Sequence, residues 1–271
     1  MFTETINKAA DMSLKKTEFL NQNFLGYQVA SVLSGIYVGF GIILIFSIAS
    51  PFAAIDSPAV RLIMGSCFGI ALTLVLMAGC ELFTSNTMFM TFGIARKKVS
   101  LQDSCKIWGY SWFGGLMGSA MLTHLVIASN AIEHAYPFIA QISLAKMQSP
   151  ALELFTKGIL CNILVCLAVW MSLRIKSETA KILVIFWCLF GFVGSGYEHS
   201  IANMTLLAVG ILGNPNIESL TWGGYYYNLL WVTLGNFVGG ALFIASSYLL
   251  TITPENQDYK SKTLIRRILN I

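Results

Sequence analysis

The chain has 271 residues, of which 56% are hydrophobic and 11% charged, with a formal net charge of +4 and a mean hydropathy of +0.69. Soluble domains carry roughly 25% charged residues, so this composition excludes an ordinary soluble enzyme and describes an all-α integral membrane protein. The length accommodates about six spanning helices of ~20–25 residues and no large soluble domain. The basic residues sit at the ends of apolar runs, where they orient a chain in a bilayer and imply no nucleic-acid partner.

Residues 1–25 are polar but carry Phe2, Ile6, Ala9, Ala10, Met12 and Phe19 at recurring positions, the pattern of an amphipathic helix lying on the membrane surface. A spanning region over 26–252 follows, then a polar tail over 253–271. Span one is predicted over 27–49, ending before Pro51, and span two over 60–95, too long for one crossing unless it is broken. Spans three and four are predicted over 106–129 and 153–173, and span five over 181–212. Span six, 225–251, opens on Tyr225, Tyr226 and Tyr227 after Trp222, as interfacial anchoring predicts. No short apolar stretch with a small-residue cleavage site marks a signal peptide. The six cysteines, 67, 80, 105, 161, 166 and 188, form no CxxC pair and read as small apolar residues.

Fourteen of the seventeen lysines and arginines fall on one side of this layout. They are Lys8, Lys15 and Lys16; Arg96, Lys97, Lys98 and Lys106; Arg174, Lys176 and Lys181; and Lys260, Lys262, Arg266 and Arg267. Only Arg61, Lys146 and Lys157 fall opposite. Both termini are therefore expected on the cytoplasmic side, which requires an even number of spans. Six spans in two similar halves put three in each, so the second half enters the membrane upside down, as an inverted 3+3 repeat. Gly35-x-x-x-Gly39, Gly114-x-x-x-Gly118 and Gly235-x-x-x-Gly239 supply small faces on which helices approach closely.

Spans two and five are each interrupted near the middle. Gly79/Gly196, Glu81/Glu198, Asn86/Asn203 and Gly93/Gly210 are identical pairs 117 residues apart. A matched pair of broken segments is the sequence pointer to a transporter's site. If Asn86 and Asn203 open second half-helices, free N–H groups and positive dipole ends face mid-membrane and favour an anion. Glu81 and Glu198 are then expected to accept hydrogen bonds from their own loops' amides. His199 is the ionisable ring of the interruptions, and intramembrane ionisable residues are rare and functional by default; proton sharing with a weak-acid anion suits it. Thr84 and Asn162 can bind substrate or orient His199. Phe68, Leu72, Leu82, Phe83, Val165 and Phe192 are either core or apolar collars that strip water from ions. His124 and His134 form no matched haem or metal pair, so neither a metal, a cofactor nor an enzyme activity is expected.

Three stretches, Ala78-Gly79-Cys80-Glu81-Leu82-Phe83-Thr84-Ser85, Lys157-Gly158 through Asn162 to Val165, and Ser195-Gly196-Tyr197-Glu198-His199-Ser200 through Asn203, resemble the formate/nitrite transporter family. The opening Met1-Phe2-Thr3-Glu4-Thr5-Ile6-Asn7-Lys8 and the run from Thr84 resemble its bacterial nitrite-channel branch. The resemblance implies an aquaporin-like homopentamer in the bacterial inner membrane, with one pore per subunit. Its passengers are small monovalent anions, nitrite first, with formate and hydrosulfide as near alternatives, or their conjugate acids. It implies a mobile Leu82-Phe83-Thr84 loop and a pore histidine at His199 with Thr84 and Asn162 beside it. It also implies an outer constriction at Phe68, Leu72 and Phe192, an inner one at Leu82 and Val165, and an anion-drawing Lys146. Gly115 departs from the family, whose members commonly carry Asn there. A water or neutral-solute channel is the reading from another class.

Overall fold

The computed structural model describes residues 2–214 and 216–251; the polar tail over 253–271, with its four basic residues, lies outside the described residues. In chain order the helices are α1 (Thr3–Gln22), α2 (Phe24–Ala53), α3 (Val60–Gly79), α4 (Phe83–Ala95), α5 (Leu101–Ser129), α6 (Tyr136–Gln148), α7 (Ala151–Ser172), α8 (Glu178–Gly194), α9 (Ser200–Gly213) and α10 (Trp222–Leu250). Among the described residues there is no strand. Five helices, α2, α3, α5, α7 and α10, are long and apolar enough to cross a membrane. The stretch 181–212, predicted as one broken span, is divided between α8, of 17 residues, and α9, of 14.

Local chemistry sets the helix ends. Ser100 and Asp103 form a reciprocal capping box at the start of α5, and the Ser177 and Thr221 hydroxyls cap α8 and α10, each satisfying an otherwise orphaned N–H. The sequence stops span one before Pro51, but α2 runs on to Ala53 with Pro51 inside it. Proline cannot donate to the carbonyl four residues back. Here that carbonyl, on Ser47, lies 3.2 Å from His134 Nε2, so a side chain replaces the missing donor.

The residues predicted as a surface helix do form one helix, α1, but its inner face is turned against protein. Ile6, Ala9, Ala10, Ser13 and Lys16 are buried, and a Cβ on Gly93 of α4 would meet Ser13 Oγ at 2.0 Å. Asp11 pairs with Lys98 at 3.0 Å. Arg174 donates to Thr5 Oγ1 at 3.2 Å and lies over the Phe2 ring at 5.4 Å. Two of the basic loops expected on one side thus meet α1 at the same end of the molecule.

The stretch between spans three and four, expected as a connection, contains a further helix, α6. Its 13 residues begin with Pro137 in the first turn, where a missing N–H costs nothing, and bury Ile139, Ser143 and Met147 along one face. Such a helix is too short to register as a span. It packs on α9, where Gly210 approaches Ser143 and Gly213 approaches the Tyr136 ring.

Glycine faces bring the long helices together. A Cβ on Gly35 of α2 would lie 2.1 Å from the Gly115 carbonyl of α5, and one on Gly118 would lie 1.9 Å from the Val32 carbonyl. In the other half, Gly235 and Gly239 of α10 approach the Phe155 and Ile159 carbonyls of α7 equally closely. Backbones this close admit no side chain, so these glycines fix both crossings. Phe40, Phe113, Leu125, Trp187, Leu230 and Leu242 project from the exterior, an apolar belt suited to lipid or to a neighbouring subunit.

Candidate functional site

The two breaks share a backbone design. Before the first, α3 widens into a π-helical turn over Leu74–Gly79, and Gly79 takes φ +87°. Cys80 and Leu82 are extended, and α4 begins at Phe83. At the second, Gly196 takes φ +74°, His199 is extended, and α9 begins at Ser200. Left-handed backbone carries a steric penalty for any residue with a Cβ, so glycine stands at both turns. The Glu81 N–H donates to the Ala30 carbonyl of α2 at 3.1 Å, and the Glu198 N–H to the Lys157 carbonyl of α7 at 3.3 Å. Each break is thereby tied to the helix that precedes it in its own half.

Each glutamate is clamped by side chains, not by its loop's amides as the sequence suggested. Glu81 accepts from Lys16 Nζ at 2.8 and 2.7 Å and from Asn86 Nδ2 at 3.2 Å. Glu198 accepts from Lys146 Nζ at 2.6 Å and from Asn203 Nδ2 at 2.6 Å. Lys16 comes from α1 and Lys146 from α6, so these two helices deliver matching cations to matching breaks. Asn86 and Asn203 do not open the half-helices. They sit one turn in, where their own N–H groups bond to Leu82 and His199, and their side chains lock the glutamates. Tyr27 and Asn228 complete the two clusters.

His199 is the N-cap of α9. Its Nδ1 accepts from the Ala202 N–H at 3.2 Å. A ring nitrogen that accepts carries no proton, so the neutral ring's hydrogen is assigned to Nε2. Nε2 lies 3.1 Å from Thr84 Oγ1, to which it donates. The Phe192 ring stacks near the imidazole, 6.1 Å between centroids.

Asn162 does not touch His199. Its Nδ2 lies 3.2 Å from the Thr84 carbonyl, 3.1 Å from Thr87 Oγ1 and 2.5 Å from the Asn236 carbonyl. It therefore positions the backbone of Thr84, whose hydroxyl meets the imidazole.

Sequence reasoning missed Asn236. It accepts from the Ser200 N–H at 2.8 Å and donates to the Gly158 and Glu198 carbonyls at 2.8 and 2.9 Å, pinning the second break. The residue 121 positions earlier is Gly115, which faces the Ile201 side chain; this amide clamp exists in one half only. The two half-helix starts differ accordingly. Side chains cap the Ser200 and Ala202 amides of α9, whereas α4 opens with no side-chain cap.

Three cavities border this region. One, of about 310 Å³, is bordered by Arg61, Phe68, Lys146, Lys157, Phe192 and His199. Phe68 and Phe192, edge to face with centroids 5.4 Å apart, separate it from a chamber of about 10 Å³ whose wall includes Leu72, Leu82, Val165 and His199. Such a chamber is close to the ~10–15 Å³ that one water needs. A third cavity, of about 720 Å³, is bordered by Lys16, Cys80, Glu81 and Ser85, the last three of which flank Leu82 of the chamber at the first break. Phe83 is buried but lines none of the three, and neither do Thr84 and Asn162. Of the cysteines, 161, 166 and 188 are buried as expected, but Cys105 is exposed.

Comparison with known proteins places this geometry. The family model for formate/nitrite transporters matches residues 3–250. The chain is 44% identical to the nitrite transporter NirC of Escherichia coli over 97% of each protein. A solved structure described as an FNT-family ion channel superposes with a TM-score of 0.88 at 42% identity, covering 93% of this chain and all of that one. A pentameric formate channel with formate bound superposes with a TM-score of 0.70 at 28% identity, covering 90% of this chain and 97% of that one. The chain belongs to the formate/nitrite transporter family.

Proposed function

We propose that this protein is a membrane channel for small monovalent anions, nitrite first, which pass His199 and share its proton. The observation that carries this reading is the meeting of the two breaks, where His199 borders an apolar chamber and its Nε2 lies 3.1 Å from Thr84 Oγ1. The relatives named as nitrite transporters support nitrite over formate.

An anion enters from the 310 Å³ cavity, loses water between Phe68 and Phe192, and meets the Nε2–H donor. The uncapped positive end of α4 stabilises negative charge on the same path. The apolar collars penalise a bare anion. Proton uptake from the cavity makes the ring an imidazolium; passing one proton to the weak-acid anion returns the ring to neutral and yields a neutral acid that crosses Leu82 and Val165 at lower cost. The second proton sits on Nδ1 at the expense of the bond from Ala202, so the ring rests neutral and carries charge only during a passage.

The architecture proposed for this path is six spans in two inverted halves, with α3–α4 and α8–α9 as the broken pair. The matched clusters on Glu81 and Glu198 and the matched glycine crossings support it. The concentration of basic loops around α1 supports cytoplasmic termini in a bacterial inner membrane. A homopentamer with one pore per subunit is proposed from the likeness to the pentameric formate channel. The test is flux of nitrite, formate, hydrosulfide and chloride into proteoliposomes across a pH series, with osmotic swelling in parallel. Nitrite flux that rises as pH falls supports the reading. Swelling without flux of any anion points to a neutral-solute channel instead.

A further inference from the structure

Lys146 is the cation that sequence resemblance nominates to draw anions to the pore, but its ammonium is held 2.6 Å from Glu198. Viewed from a few ångströms away, that pair has little net charge. Lys157, on the same cavity, is likewise paired, with Glu153 at 2.5 Å. At the opposite cavity Lys16 pairs with Glu81 and Lys181 with Glu178. One cation among those lining the two wide cavities forms no ion pair among the described residues: Arg61, on the 310 Å³ cavity.

Its position has no structural rationale in its own helix. Arg61 is the sole charged residue of α3 and lies in the first turn, where the positive end of the helix dipole disfavours a cation. The side chain is exposed and reaches across the mouth to the second break, where a Cβ on Gly196 would sit 4.0 Å from Arg61 Nη1. The guanidinium therefore overhangs the turn that leads to Glu198 and His199, in the cavity that shares Phe68, Phe192 and His199 with the chamber.

We propose that Arg61 is the anion-capturing residue of this mouth, acting on monovalent anions before they lose water, while Lys146 serves the fold of the second break. The inference rests on the anion path proposed above. It follows that the two mouths differ: each has a Lys–Glu clamp, and among the described residues lining the two wide cavities only Arg61 adds unneutralised positive charge.

The experiment compares the wild-type chain with R61Q and R61K in proteoliposomes, using nitrite well below half-saturation, where the rate reports capture. Steering by fixed charge raises association rates by about tenfold or more and fades as salt shortens the screening length. R61Q is expected to slow uptake about tenfold at ~10 mM ionic strength, with the gap closing towards ~1 M. Its saturating rate and pH profile should match wild type, and R61K should keep most of the low-salt rate. Arg61 makes no hydrogen bond or ion pair among the described residues, so both variants should melt at the wild-type temperature. Equal uptake by R61Q and wild type at every ionic strength would overturn the proposal, as would a loss indifferent to salt or confined to the saturating rate. Failure of the wild-type protein to pass any anion would instead refute the path itself, and this inference with it.

Discussion

The Lys146–Glu198 pair offers the sharpest separation between a structural and a transport role for a pore-side lysine. The side chains are 19% and 5% exposed and 2.6 Å apart, and the second carboxylate oxygen is held by Asn203. At an effective dielectric of about 20, unit charges at that distance attract by about 6 kcal/mol, much of it offset by desolvation. Removing one member strands the other. K146M should therefore destabilise the protein by about 3–5 kcal/mol, whereas replacing both partners with neutral residues costs far less. In K146M/E198Q the amide of the new side chain can still meet Asn203, so most of the stability and the shape of the second break should return. Thermal unfolding of the four proteins of the cycle, with nitrite uptake on each, tests this. Coupling near zero would refute the clamp. Restored stability without restored uptake would show that the Lys146 charge itself acts on the passenger.

Other consequences follow from particular contacts. H199N retains an N-cap side chain and should unfold within about 0.5 kcal/mol of wild type, whereas H199A should lose about 1 kcal/mol, as measured by thermal melts of the purified protein. G240A places a methyl 2.0 Å from Thr87 Oγ1 and 2.7 Å from Asn162 Nδ2. Overpacking of this kind costs about 1–3 kcal/mol and should reduce uptake by displacing Thr84 from His199, since Asn162 bonds both Thr87 and the Thr84 carbonyl. G79A meets nothing within 4 Å, so its cost is conformational alone, about 1–2 kcal/mol from φ +87°. G79N, which tolerates that region better, should recover part of the loss in the same melts.

The apolar runs, the two interruptions and their glycines were readable because hydropathy and left-handed turns leave marks on the sequence. What the turns are tied to did not. Lys16 is 65 residues from Glu81 and Lys146 is 52 from Glu198, and no local pattern links them. A glutamate beside a break invites a local partner, and the long-range one prevailed because a buried carboxylate needs a charge, not merely an amide. The helix α6 was concealed by its length and Asn236 by its place in an otherwise apolar span. Pro51 misled because the donor that repairs its gap, His134, lies on the far side of α5. Asn162 stands out in the sequence as an amide in an apolar span, but nothing there distinguishes a residue that binds the passenger from one that holds Thr84.

The central claim is that His199 Nε2 lends a proton to each passing anion. Stopped-flow nitrite uptake with a pH-reporting dye trapped inside the vesicles tests it most directly, on wild type and H199N together. The account predicts that the wild-type lumen acidifies in step with nitrite entry, and that H199N, folded and inserted, loses this coupled signal. Nitrite entry as fast in H199N as in wild type, with the same proton signal, would contradict it.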